Sequence, residues 1–392
     1  MLKFIGAALV VLLVSGASVA GIVFNQLRTD LATNTVTLVG ETEGPPPQIA
    51  GIKGGFNILI VGSDQCETKS GCRGFGDRGA GKLNDVTMLL HVSEDQTNAV
   101  AVSFPRDLIV PIPSCPKEDG SGYTGAAAGQ PINVTLSYGG LPCTVLTVEA
   151  LTGLDIQFAG LITFNGVIAM SNAVGGVKVC LANDLDDMYT RLKLSKGTHT
   201  LKGQKALDFL RSRHGIGDGS DLTRISSQQV YLSSLVRTLQ SKNTLTDPSK
   251  VYKIAKAAAK NMQLSKNLAS VDTMVSVALA LKNLPLERVT FVQYPGTTGA
   301  GGIYAGKVAP IATQANQLFT YIKNDEPFKL DAAGDGRGSE ADPSKSSGGK
   351  KSTNKPSATS TSTAKPIDNS KLPTLGGVRG QTAADRTCSV PR

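Results

Sequence analysis

Apolar residues fall into short runs bounded by polar turns, and the period of those runs separates strands from helices. Phe56–Val61 (FNILIV), Val86–Val92 (VTMLLHV) and Ala99–Phe104 (AVAVSF) are continuous apolar stretches of strand length. Runs of this kind mark strands buried on both faces. The polar stretch Ser93–Asn98 between the second and third predicts a hairpin. Ile156–Phe164, Val177–Leu181 and Val289–Tyr294 read as further strands, with a helix near Asn165–Ala173. Helical spacing of apolar positions predicts helices at Thr144–Leu151, Gly203–Arg211, Ile225–Lys242, Pro248–Gln263, Val271–Leu281 and Pro310–Lys323. Strands interleaved with helices predict an α/β domain with a mixed central sheet covered on both faces.

The ends of the chain differ from this body. From Phe4 to Phe24 every residue is apolar or small except Ser15 and Ser18. A helix of that length spans a bilayer core of about 30 Å. Lys3 precedes the run, which predicts that the start stays inside and the rest is exported. Ser18-Val19-Ala20 offers an alternative, a small-x-small cleavage site of a signal peptide. Either way the body lies outside the cytoplasmic membrane. The expected organisation is a transmembrane anchor over 1–26, a linker over 27–55, a globular domain over 56–330 and a tail over 331–392. That tail is rich in Ser, Thr, Gly, Lys and Pro, and its low apolar content predicts disorder.

The formal charge is +9, of which +4 lies in residues 331–392, where 10 basic residues face 6 acidic ones. The remainder is mild for a chain of this length, and no basic DNA-reading helix pair stands out. Both points argue against nucleic acid as a partner and for a local anionic ligand. Six cysteines suit an oxidising compartment. Spacing suggests Cys66–Cys72 and Cys115–Cys143, leaving Cys180 and Cys388 to tie the tail back or Cys180 to remain a buried thiol. No CxxC occurs and His91, His199 and His214 are scattered, which disfavours zinc.

Charged residues gather at the ends of three apolar strands, where open α/β sheets place their sites. Asp64 follows the first strand and Asp85 opens the second, a pair suited to Mg²⁺ beside a diphosphate. Arg106 and Asp107 follow Pro105 at the end of the third, where an acid can orient a guanidinium towards phosphate. Arg211, Arg213 and His214 precede a Gly/Asp loop; Asp221, Arg224 and Gln228 follow it. Arg224 and Gln228 share the inward stripe of the next helix, and buried polar groups need partners. A bound anion would supply them; so would an internal ion-pair network using Asp208, Asp218 and Asp221.

The motif order resembles the LytR–CpsA–Psr family of cell-wall glycopolymer transferases, in its actinobacterial form. The matching segments are FNILIVGSD (56–64), NDVTMLLHV (84–92), VSFPRD (102–107), Ile132-Asn133, SYGG (137–140), LTGLDI (151–156), AVGGVKV (173–179), GTHTLKGQKALDFLRSR (197–213) and SDLTRISSQQ (220–229). The resemblance implies an α–β–α sandwich with an apolar interior for a polyprenyl chain. It implies a Mg²⁺-dependent phosphotransferase that moves a glycopolymer from a polyprenyl diphosphate to peptidoglycan. Asp64 and Asp85 match the metal-associated acids. Arg106, Arg211, Arg213, Arg224 and Gln228 match the diphosphate-binding set, and Asp107 matches a base or an orienter of Arg106. Three positions depart from the family pattern. Lys82 stands where Arg is frequent, Pro131 where Lys precedes the Ile-Asn pair, and Ser227 where a second Arg precedes the Gln. Loss of those cations raises a second possibility, a non-catalytic binder of lipid-linked or wall polymers.

Overall fold

A computed structural model describes residues 21, 25–41, 54–65, 82–241, 244, 247–342 and 371–392. Residues 1–20 and 22–24 of the expected membrane anchor, the Cys66–Cys72 pair and residues 343–370 of the tail lie outside the described residues. Helix α1 occupies residues 25–32. The strands that follow are β1 (Thr35–Val36), β2 (Phe56–Ser63), β3 (Asn84–Val92), β4 (Ala99–Phe104), β5 (Ile109–Ile112) and β6 (Ala127–Pro131). Next come α2 (Thr135–Thr152), β7 (Phe158–Ile162), α3 (Phe164–Val174), β8 (Val177–Leu181), β9 (Leu185–Asp187), β10 (Leu192–Leu194) and β11 (Gly197–Leu201). Then follow α4 (Gln204–Arg211), α5 (Asp221–Gln240), α6 (Pro248–Asn261), β12 (Met262–Ser265), α7 (Val271–Asn283), β13 (Val289–Gln293), β14 (Gly296–Thr297), β15 (Ala309–Pro310) and α8 (Ala312–Lys323). The last strands are β16 (Lys329–Leu330), β17 (Ser339–Ala341), β18 (Thr374–Leu375), β19 (Gly380–Thr382) and β20 (Thr387–Ser389).

Eight strands form the central sheet in the order β1-β12-β7-β2-β3-β4-β13-β19. It is mixed: β2, β3 and β4 run antiparallel in succession, while β7 lies parallel to β2 and β13 parallel to β4. The expected hairpin between β3 and β4 is present, closed by the Ser93 N–H donating to the Asn98 carbonyl at 3.1 Å. Alternate residues feed two cores. Leu59, Val61, Val100, Val102 and Phe104 pack with α2 and α8, whereas Phe56, Ile58, Ala99 and Ala101 pack with α1, α6 and α7. Both faces are thus covered, which explains why these strands read as unbroken apolar runs. A smaller sheet, β11-β8-β20-β17, packs Val177, Val179 and Leu181 against α4 and α5.

Helix α2 begins nine residues before the predicted Thr144. Its first turns are interrupted by non-helical Gly139 and Gly140, so the apolar period begins only after the break. A Cβ on Gly139 would strike the Pro116 carbonyl oxygen, which accounts for glycine there. Among the described residues, Ile132–Thr152 is the one helical stretch long and apolar enough to cross a membrane. Its Leu136, Leu141, Val145 and Val148 lie in the core, so it is a core helix.

The ends depart most from expectation. Within the expected linker, Leu27 and Leu31 are buried and β1 pairs with β12. Within the expected disordered tail, residues 331–342 and 371–392 are built into the fold. Strand β19 adds to the central sheet beside β13, and β20 lies parallel to β8. Cys180–Cys388 and Cys115–Cys143 are disulfides. The tail is therefore held by edge pairing and a covalent link, which composition does not register. Cys180 is not a free thiol.

One buried carboxylate shapes the turn after α4. Asp187, 1% exposed, accepts the Ser212 hydroxyl at 2.6 Å and the Gly215 and Arg213 amides at 3.1 and 3.2 Å. Burial alone would raise its carboxyl, but these bonds, with those from Thr190 and Tyr189, outweigh it and hold it below the usual 3.8. Its contribution to stability is full above the unfolded value and is lost as pH falls through the lower folded value. Asp187→Asn should cost about 1–3 kcal/mol at neutral pH and abolish amide-exchange protection at Arg213 and Gly215. It should also remove this group's share of the acid-induced loss of stability, read from denaturant unfolding between pH 6 and pH 2. The 208-residue separation of Cys180 and Cys388 gives a second expectation. Cys388→Ser should lower stability by about 2–5 kcal/mol, read as a fall in unfolding midpoint against the native chain without reductant.

Candidate active site

Several of the expected site residues meet at one end of the central sheet. Strand β2 ends there and delivers Asp64. Strand β3, antiparallel to it, begins there with Asn84 and Asp85, and β4 ends there before Pro105-Arg106-Asp107. Asn84 is fully buried and its amide donates to Thr87 Oγ1 at 2.8 Å and the Ile132 carbonyl at 3.2 Å. The Asn133 N–H donates to the Arg106 carbonyl at 3.1 Å. The Ile132-Asn133 pair thus fixes both strand ends from one side.

Arg106 is the hub. Its Nη1 donates to Asp85 Oδ1 at 2.7 Å, and its Nε lies 3.5 Å from Asp107 Oδ2 and 3.8 Å from Asp221 Oδ1. The Arg106 main-chain N–H donates to Asp221 Oδ2 at 2.9 Å. Burial works against the charge on Arg106, but Asp85, Asp221 and Asp107 outweigh it and push its pKa up. Arg224, 5% exposed, places Nη2 2.6 Å from Asp221 Oδ1 and donates to the Asp85 carbonyl at 2.7 Å. The Nε atoms of Arg106 and Arg224 are buried and make no hydrogen bond. Two guanidiniums oriented by Asp85 and Asp221 at one end of the sheet suit an anion with several acceptor oxygens.

Asp64 and Asp85 stand at the same edge. Asp64 Oδ1 accepts the Leu83 N–H at 3.1 Å, closing the two arms of the loop between β2 and β3. Burial pushes the Asp64 carboxyl above its ordinary value, the Leu83 bond opposes this, and the charge of Asp85 adds to the rise. A carboxylate disfavoured by burial and by a neighbouring carboxylate is one that a cation would relieve, so the two acids fit a divalent metal.

The other expected residues divide. Gln228 Nε2 donates to the Leu210 carbonyl at 2.7 Å, which puts the end of α4 one helical turn along α5 from Arg224. Arg211 follows at that end, its guanidinium 4.3 Å from the Phe164 ring centroid. Arg213 Nε donates to the Gly219 carbonyl at 2.8 Å, which ties this side chain to the loop before α5. Lys82 pairs with Glu118 at 2.5 Å, both near half exposed. His214 is exposed and stacks on Tyr189 at 4.1 Å. Of the network acids, Asp221 joins the hub, whereas Asp208 accepts from Gln204 and Asp218 from Ser220. Lys307 is a site residue that the sequence did not flag: its Nζ lies 3.1 Å from Asp107 Oδ1. Its loop carries no motif, and only the pairing of Leu108 with Val308 brings it there.

The three departures are placed as well. Pro131 precedes the helical turn at Ile132–Val134 and pairs with Ile109. Ser227, 1% exposed, hydrogen-bonds Ser389 Oγ at 2.9 Å. That face of α5 is covered by the C-terminal strand, so a guanidinium there would displace β20 rather than reach Arg106.

Known proteins share this fold. Residues 22–323 match the LytR_cpsA_psr family. The cell wall biosynthesis protein LcpA of Corynebacterium glutamicum is 30% identical over 69% of this chain and 55% of its own. The chain thus spans about half the length of that relative. The polyisoprenyl-teichoic acid–peptidoglycan teichoic acid transferase TagT of Bacillus subtilis is 26% identical over 62% of this chain and 70% of its own. Among solved structures, TagV of Bacillus subtilis superposes with a TM-score of 0.55 at 22% identity, over 70% of this chain and 97% of that one. The LytR-Csp2A-Psr enzyme of Actinomyces oris gives 0.52 at 19% identity, over 74% and 94%. With its sheet, its strand-end acids and its arginine hub in this order, the chain belongs to the LytR–CpsA–Psr family.

Proposed function

We propose that this protein is an extracytoplasmic, membrane-anchored phosphotransferase that moves a glycopolymer from a polyprenyl diphosphate to a peptidoglycan hydroxyl, with Mg²⁺ as cofactor. The observation that carries the reading is the hub itself, two guanidiniums oriented by Asp85 and Asp221 where three strand ends meet. Relatives named as teichoic acid transferases support the acceptor and donor classes, and the solved structure titled TagT bound to LIIa-WTA supports a lipid-linked donor.

In phosphoryl transfer the protein mainly positions groups and neutralises developing charge. Arg106 and Arg224 would each direct donors at the diphosphate oxygens. Asp107, flanked by Arg106 and Lys307, would orient the guanidinium rather than act as base. Asp64 and Asp85 would hold Mg²⁺, which supplies further charge neutralisation on the diphosphate when bound. Lys307 restores one cation beside the hub in a chain where Pro131 and Ser227 remove two, and this favours turnover over a purely binding role.

The test uses the full chain in detergent with a polyprenyl-diphosphate oligosaccharide and peptidoglycan fragments, following polyprenyl phosphate release and sugar attachment. Release should require Mg²⁺ and stop with chelator. Arg106→Ala should lower kcat by about 10²-fold or more with an unchanged circular dichroism spectrum, and Arg106→Lys should recover little because the fork is lost. Tight donor binding without turnover across several donors would establish the non-catalytic reading instead.

A further inference from the structure

A cleft of about 680 Å³ opens beside the hub, in the size range of small-molecule sites. Its lining includes Gln293 and Tyr294 at the end of β13, Gly296 and Thr297 of β14, Gln314 of α8, and parts of 331–341 and 377–379. Strand β13 is the parallel neighbour of β4, so the cleft lies at the same sheet edge as Arg106. Gln293 Nε2 donates at 3.1 Å to the carbonyl of Leu222, the residue after Asp221. The first turn of α5 therefore serves the hub through Asp221 and the cleft through Leu222. A second link runs through the β14–β15 pair: Gly296 lines the cleft, and the loop that returns through β15 carries Lys307 to Asp107.

The chemistry of this lining differs from that of the hub. Arg337, Asp331 and Glu340 are exposed and of both signs. Gln293, Tyr294, Thr297 and Gln314 add amides and hydroxyls along its walls. Such a surface suits hydroxyls and amides together with both carboxylates and ammonium groups, and it does not select a polyanion. A second cavity of about 680 Å³ makes the contrast: Lys178, Arg237, Lys250 and Arg386 line it, with Asp342 as its one acid. Arg237, at its wall, lies roughly 24 Å along α5 from Asp221.

We propose that the cleft beside β13 is the acceptor subsite, taking a glycan hydroxyl whose peptide substituents carry both carboxylate and ammonium groups. This rests on the transferase reading above. In the transfer, the acceptor oxygen forms a bond to the sugar-linked phosphorus. The bridging P–O bond breaks, polyprenyl phosphate leaves with the electron pair, and the hydroxyl proton passes to water. Residues 331–341 and 377–379, from the segment that composition assigns to disorder, would then select the acceptor.

The experiment uses the full chain in detergent with Mg²⁺, a polyprenyl-diphosphate disaccharide and a soluble peptidoglycan disaccharide–tetrapeptide. Two rates are read, donor cleavage by water without acceptor and sugar transfer against acceptor concentration. The double variant Asp331→Asn/Arg337→Ala and the cleft-filling Thr297→Trp should each raise acceptor KM at least tenfold. Donor cleavage by water does not use the cleft and should stay within twofold, which also shows that the variants fold. Arg386→Ala, in the other cavity, should leave acceptor KM unchanged. An unchanged acceptor KM in both cleft variants, with donor cleavage intact, overturns the acceptor assignment alone. Absence of polyprenyl phosphate release from the unmodified chain overturns the transferase reading and this inference together. A rise in acceptor KM in Arg386→Ala but not in the cleft variants moves the acceptor to the basic cavity.

Discussion

Arg106 sits where three acids from three parts of the chain can reach it, and the edge of the sheet depends on that ion cluster. Taking charges out of water is costly, and a buried pair survives only when geometry and further hydrogen bonds compensate. Here Asp85 takes Nη1, Asp221 takes the main-chain N–H, and Arg224 closes the set through Asp221 and the Asp85 carbonyl. Removing one member strands the others in a low-dielectric site. The cluster therefore fixes the entry of α5 relative to β3 and β4. It also sets the guanidiniums of Arg106 and Arg224 side by side through their shared acid Asp221.

The sheet was legible because burial on both faces turns strands into continuous apolar runs. Phe56–Ser63, Asn84–Val92 and Ala99–Phe104 needed only that signal. Helix starts were less legible where the backbone breaks period, as at Gly139-Gly140. The C-terminal segment was misread because its order does not come from its own apolar content. Strand β20 is held by a disulfide to Cys180 and by pairing with β8 and β17, and β19 by the edge of β13. Contacts of that sequence separation leave no local trace.

The site was legible in its cations and less so in its acids. Arginine at a strand end or on an inward helical stripe is conspicuous, which picked out Arg106 and Arg224. Asp221 entered only as a structural counter-charge, because an acid in the first turn of a helix is ordinary. It proved to be the link between the two arginines. Arg213 adds a bond that its motif did not announce, from Nε to the Gly219 carbonyl, which shapes the loop before α5. Asp187 and Lys307 had no motif to announce them, since each meets its partner only through the fold.

Ser227 ties these points together. The motif resemblance expects a second arginine at this helix position, and its absence reads from sequence as a weakened diphosphate site. In the folded chain Ser227 meets Ser389, and Ser226 meets Ser339 at 2.7 Å. Both hydroxyls anchor C-terminal strands across α5. The next turn of that same segment, Gly334–Gly338, packs on Thr223 and brings Asp335 to Gln293 at 3.5 Å. The small residues on α5 thus let the C-terminal segment lie close over the helix that carries Arg224. What the chain lacks in cations at position 227 it replaces with a wall, and that wall bounds the cleft beside the arginine hub.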